Sequence, residues 1–169
     1  MLQQLVTIRL AVPEDLQAID EIYNQAIEIK ATAHTSPLTI EERKSWFEYH
    51  EPALFPVYVA VANDAVIGWI SFSPYRSGRQ ALKFTAEISY YIHRDFWSRG
   101  VGSQLLEFAI NEAPKLNFSV LIAILLEHNK ASVSLLKKFA FEKWGFLHEV
   151  AEYDHNKCGQ YYYGLILRP

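Results

Sequence analysis

One stretch constrains this chain more than any other. A run rich in Thr, Ile, Tyr and Phe, Lys83 to Ile92, leads through the tight glycine turn Ser98–Gly102 into an amphipathic helix from about Val101 to Ala113. Such a strand–turn–helix unit has to bury one helix face on a sheet, here through Leu105, Leu106, Phe108 and Ala109, so a layered α/β architecture is expected. Glycine lets the backbone reach positive φ and approach a ligand closely. The first N–H groups of the helix lack intrahelical partners, and with the helix dipole they can receive phosphate. A Gly-X-Gly before a helix also serves as a plain tight turn, and both readings stand at this level. The Gly-X-Gly-X-X-Gly dinucleotide fingerprint and the Gly-Lys-Ser/Thr of a Walker loop are both absent.

The rest of the chain supplies elements around that unit. Val6 to Ala11 reads as a strand, followed at Pro13, Glu14 and Asp15 by the first turn of a helix, where proline is tolerated and acids favoured. Leu16, Ile19, Ile22, Tyr23, Ala26 and Ile27 recur at helical spacing. Lys30 to Leu38 reads as a loop. Thr39 and Glu42 form a capping box for a second helix whose buried side is expected at Trp46 and Phe47. Val57–Ala62 and Val66–Phe72 form a hairpin over Asn63-Asp64, and Pro74 to Arg79 is a loop carrying Tyr75, Arg76 and Arg79. Val120–Leu126 is continuously apolar, as a strand buried on both faces should be. Pro114 ends the helix before it, and Asn129 opens another that runs through Phe139. Phe141–Tyr153 and Gln160–Leu167 close the chain as strands joined by Asp154–Gly159. The order is βααβββαβαββ: an α/β (α+β) fold with a mixed central sheet flanked by helices, in one domain over residues 1–169.

Composition excludes several functions. With 16 basic and 19 acidic side chains the net charge is −3, against the basic face that nucleic-acid binding requires. Cys158 is the one cysteine, so no intrachain disulfide forms. No apolar run approaches the roughly 20 residues that span a bilayer, and MLQQLVTIRLAVPEDL lacks a signal-peptide core. No membrane association and a cytoplasmic location are therefore expected. His155 and Cys158 beside Asp154 lack the spacing of a zinc set, the remaining histidines are scattered, and no metal is expected.

At Arg99-Gly100-Val101-Gly102 followed by Leu105-Leu106 the sequence resembles the coenzyme A loop, Gln/Arg-X-X-Gly-X-Gly/Ala, of the GNAT superfamily of N-acetyltransferases. The resemblance runs along nearly the whole chain. Ile8-Arg9, Asp15-Leu16, Ile22-Tyr23-Asn24, Trp46-Phe47, Phe55 to Ala60 and Gly68 to Phe72 resemble the phosphinothricin acetyltransferase branch. Thr85-Ala86-Glu87-Ile88-Ser89-Tyr90-Tyr91-Ile92 is similar to that branch's Thr-Val-Glu-X-Ser-Val-Tyr-Val, and Asn129-Lys130-Ala131-Ser132 to its Asn-X-X-Ser helix start. Four positions depart from the pattern: Trp97 replaces Gln or Arg, Ser98 and Ala140 each replace a usual Gly, and Leu136 stands where many members carry a Tyr or His as candidate general acid.

The resemblance implies a GNAT-like fold and an enzyme that uses acetyl-CoA as co-substrate. The pyrophosphate would lie on the amides of Arg99, Gly100, Val101, Gly102 and Ser103. The pantetheine arm would lie along Tyr90, Tyr91 and Ile92, with Asn129 on its far side, or Asn129 is only a helix cap. Glu87, mid-strand among Phe84, Thr85, Ala86 and Ile88, would be the catalytic base that deprotonates the acceptor amine. Tyr75 and Arg76 would bind the acceptor, an Arg suiting the carboxylate of an amino-acid-like molecule. Tyr23, Thr32 and Ala33 would line the same pocket by analogy. Direct attack in a ternary complex on a small amine of the phosphinothricin or methionine sulfoximine type is the expected reaction. The alternatives are acetylation of protein N-termini or lysines, and a non-catalytic acyl-CoA-binding module. The resemblance allows a homodimer.

Overall fold

In the computed structural model, which describes residues 5–167, eleven elements appear in the expected order: β1 (Thr7–Leu10), α1 (Leu16–Glu28), α2 (Ile40–Tyr49), β2 (Val57–Ala62), β3 (Ala65–Pro74), β4 (Thr85–Ile92), α3 (Val101–Glu112), β5 (Val120–Leu126), α4 (Lys130–Lys138), β6 (Glu142–Tyr153) and β7 (Asn156–Ile166). The one-domain reading takes in residues 1–4 and 168–169, which lie outside the described residues. The strands form one seven-stranded sheet in the order β1-β2-β3-β4-β5-β7-β6. All neighbours are antiparallel except β4 and β5, which the α3 crossover makes parallel. The result is the expected mixed sheet with helices on both faces.

Each face has its own apolar cluster. On one, Leu105, Leu106 and Ala109 of α3 and Leu136 of α4, all 0% exposed, pack with Phe72, Ala86, Ile88 and Leu121. On the other, Ile19, Ile22 and Tyr23 of α1 pack on Val57, Val59 and Trp69. Side chains along β4 alternate between the two, so Ala86 and Ile88 join the first cluster while Tyr91 packs against the second.

Several local expectations shift. Pro13–Asp15 is a separate 3₁₀ turn, and Asp15 binds Arg9 and the Val12 N–H there instead of starting the α-helix. Thr39 and Glu42 form the capping box, but the buried residue of α2 is Arg43, 4% exposed, whereas Trp46 and Phe47 are half-buried. Arg43 reaches the interior because Asp20 pairs with its Nε at 2.9 Å and the rings of Tyr23 and Trp46 lie against its guanidinium at 4.7 and 5.1 Å. Lys83 and Phe84 stand before β4, in the turn that follows a short 3₁₀ helix at Gln80–Leu82. The last hairpin turns on Asp154-His155 alone, both at positive φ, and Asn156–Gly159 already belongs to β7.

Candidate active site

The sheet is weakest between β4 and β5. Partner pairs join β4 to β3 from Gly68↔Ile92 to Pro74↔Ala86, and β5 to β7 from Val120↔Ile166 to Leu126↔Gln160. Between β4 and β5 the ladder covers only Thr85, Ala86 and Glu87 opposite Val120, Leu121 and Ile122. Each strand follows its fully paired neighbour, so twist opens a wedge beyond Glu87. The His93 N–H donates to the Ile67 carbonyl at 2.9 Å, which fixes the alternation along β4. Main-chain groups of Glu87, Ser89 and Tyr91 face β3, and those of Tyr90 and Ile92 face the wedge, where no strand meets them. The Ile92 carbonyl accepts the Trp97 indole N–H at 2.8 Å.

A groove of about 430 Å³ occupies the wedge. Tyr90, Tyr91 and Ile92 form one wall, and Asn129, Ala131, Ser132 and Leu135 at the start of α4 form the other. Trp97, Ser98 and Gly100 to Ser103 close its end, and Ala26, Ile29 and Ala31 roof it. Gly100 caps α3 with φ 83°, which favours glycine, and the helical ladder begins at Gln104 N–H to Gly100 carbonyl, 3.1 Å. The N–H groups of Val101, Gly102 and Ser103 therefore stay free of the helix. Lys138 on α4 donates to the Ser103 hydroxyl at 3.2 Å and brings a cation to the same corner. Arg99 does not line the groove; its guanidinium lies over the Phe96 ring at 5.3 Å. Asn129 caps α4 through Oδ1, which accepts from the Ser132 N–H at 3.2 Å, and its amide NH₂ stays available to the groove it lines.

Glu87 is half-buried at the apex of the wedge, and burial raises its pKa with no cation to oppose the effect. Its cross-strand partner is Ser73, whose hydroxyl donates to Nε2 of His50 at 3.1 Å. His50 is 5% exposed and donates from Nδ1 to the Trp46 carbonyl at 2.7 Å; burial lowers its pKa, so it stays neutral. On the same face Tyr23 binds the Thr32 hydroxyl at 2.7 Å and Nδ1 of His34, and its ring meets Tyr91 edge-on at 5.0 Å.

Tyr75 and Arg76 belong to a second cavity of about 330 Å³, with Arg79, Lys83, Tyr49 and Thr85. Thr85 stands at one end of β4 and Tyr90 to Ile92 at the other, so the two cavities touch opposite ends of the strand, and Glu87, between them, lines neither. Three cations against Glu51 make the second one basic. Sequence reasoning missed Lys138, Ser132, Leu135 and the roof of Ala26, Ile29 and Ala31. A signal existed for Ser132, which sits three residues after Asn129 and so on its helix face; none existed for the others.

The geometry can be set beside known proteins. Residues 6–142 match the family model described as the acetyltransferase (GNAT) domain. YwnH of Bacillus subtilis, named for phosphinothricin acetylation, is 42% identical over 151 residues, 88% of this chain and 91% of that protein. The L-methionine sulfoximine/L-methionine sulfone acetyltransferase of Salmonella typhimurium is 33% identical over 137 residues, 80% of each chain. The crystal structure of a GNAT superfamily phosphinothricin acetyltransferase from Sinorhizobium meliloti, in complex with acetyl-CoA, superposes with a TM-score of 0.90 at 27% identity, covering 96% of this chain and 88% of that one.

Proposed function

This chain belongs to the GNAT acetyltransferase family and is an acetyl-CoA-dependent N-acetyltransferase, and from that premise we propose that it acetylates the primary amine of a small amino-acid-like molecule of the phosphinothricin or methionine sulfoximine type. The observation that carries this reading is the wedge: an unpaired β4 edge runs from a helix N-terminus to a buried carboxylate.

The free amides of Val101, Gly102 and Ser103, with Lys138, suit the pyrophosphate of the co-substrate. The wedge-facing N–H and carbonyl of Tyr90 and the N–H of Ile92, whose carbonyl Trp97 holds, can pair with the amides of an extended arm as a further strand would, with Asn129 opposite. Gly100 shapes the turn and Tyr91 backs the wall. Arg99, on the rim, adds only charge at a distance.

Glu87 acts as the base. An amine is mostly protonated at neutral pH, and a thioester is attacked only by its free form; a carboxylate with a raised pKa is matched to taking that proton. Arg76 and Tyr75, in the basic cavity, hold the acceptor's carboxylate. The amine then attacks the thioester directly in a ternary complex. Exposed Trp144, Leu147 and Val150 on the edge strand β6 support pairing of two copies, which sedimentation velocity reads directly.

The test is a thiol-release screen with amino acids, sulfoximines, polyamines and peptides as acceptors, beside calorimetry with acetyl-CoA. Turnover with sulfoximines and none with peptides is expected. Peptide turnover alone would transfer the assignment to protein acetylation, and acetyl-CoA binding without turnover would leave a binding module.

A further inference from the structure

Tyr90 and Leu136 face the same side of the sheet, and neither suits a purely structural account of the groove. Leu136, on α4, is fully buried and offers the leaving sulfur nothing. Tyr90, on β4, lines the groove, and its hydroxyl is buried without a hydrogen-bond partner among the described residues. The polar side chain it feels is Ser132, on the opposite wall. A buried phenol with no partner is less favourable than the phenylalanine that would fill the same space. Its hydroxyl therefore adds nothing to the fold, and it sits in the wall against which the co-substrate arm is placed.

We infer that the Tyr90 hydroxyl donates a hydrogen bond to the sulfur departing from acetyl-CoA, supplying from β4 the polar contact that Leu136 does not supply from α4. The inference rests on the reading of the groove as the acetyl-CoA site. Burial pushes the phenol up to about 12, so it stays neutral and keeps its proton. It is a donor to developing charge, not the source of the thiol proton.

The acceptor ammonium gives one proton to Glu87, and its nitrogen forms the C–N bond. The C–S bond breaks and its electron pair stays on sulfur. Nitrogen releases a second proton, and sulfur takes one from solvent. The products are the amide, the thiol and one net proton.

Tyr90→Phe keeps the ring and removes the donor. In this variant kcat should fall about tenfold, with Michaelis constants for both substrates within about threefold of the original, because only charge formed during reaction is affected. The melting temperature should be unchanged or higher, which a structural role for the hydroxyl would not give. Followed by thiolate ultraviolet absorbance, the thiol of bound coenzyme A should titrate about one unit higher than in the parent protein. A kcat within twofold of the parent, or the same thiol titration in both proteins, overturns the inference. Failure of the parent protein to bind coenzyme A in calorimetry would instead remove the groove reading itself.

Discussion

The two cavities at opposite ends of β4 are built from different materials. The groove presents main chain: the β4 edge groups of Tyr90 and Ile92 and the amides that open α3. The basic cavity presents side chains, Tyr75, Arg76, Arg79, Lys83 and Tyr49, carried by a loop and the end of α2. A site made of backbone survives changes in the residues that carry it. Trp97 and Ser98 replace the residues usual in the loop, yet the first amides of α3 still lack intrahelical partners. A site made of side chains changes with every substitution. On the proposed reading the groove would fix the co-substrate and the cavity would decide the acceptor.

The largest expected effect lies at Glu87, on β4 between the ends that the two cavities touch. Glu87→Gln should lower kcat by about a hundredfold while leaving acetyl-CoA affinity nearly unchanged, the usual scale for loss of a general base. In the parent protein the rate should fall as pH drops through the Glu87 pKa, since only the carboxylate accepts a proton. Burial sets that limb above the ordinary value of 4.5, and the variant should lack it in a pH–rate profile. An unchanged kcat would detach both cavities from the chemistry.

Gly102→Val sharpens the contrast on the groove side. A Cβ at Gly102 would meet the Leu135 side chain at 3.1 Å and Ile92 at 3.3 Å, both groove walls. The Michaelis constant for acetyl-CoA should rise about tenfold and that of the acceptor little, because uniform binding is lost on one side only. Arg76→Ala should do the reverse, raising the acceptor constant about fivefold, in the range of a partly exposed charge-assisted hydrogen bond. If either variant moved both constants equally, the division of labour would fail.

The smallest effect tests the frame, not the site. Ala140 ends α4 at φ 61°, with the Phe141 N–H on the Leu136 carbonyl at 3.0 Å and the Ala140 N–H on Lys137 at 3.1 Å. An L-residue is strained there, so Ala140→Gly should stabilise the protein by about 1 kcal/mol in chemical denaturation. Kinetics should be unchanged.

Much of this was readable from the chain because it is local. The order βααβββαβαββ, the Thr39–Glu42 capping box, the Asn129 cap and the glycine turn at α3 depend on spacing within one element or between neighbours. The left-handed turns at Ser98 and Ala140 left a trace as well, since both stand where a glycine is usual. Arg43 shows where pattern reading stops. In α2 it looks like a solvated charge, and only Asp20, Tyr23 and Trp46 arriving from elsewhere make burial tolerable. Tyr75 and Arg76 were legible as candidates for one site, but not their place in a cavity apart from the Gly100–Ser103 turn.

The sequence by itself determined the elements, their caps and the place of the glycine turn that opens α3, because hydrogen bonds and alternation over a few residues settle these. Tertiary structure decided the wedge: β4 is held by β3, β5 by β7, and three pairs between them cannot keep the two edges together. From that opening come the unpaired edge, the half-buried Glu87 and the orphaned Tyr90 hydroxyl. Each depends on strands far apart in the chain competing for the same neighbours, which no local pattern encodes.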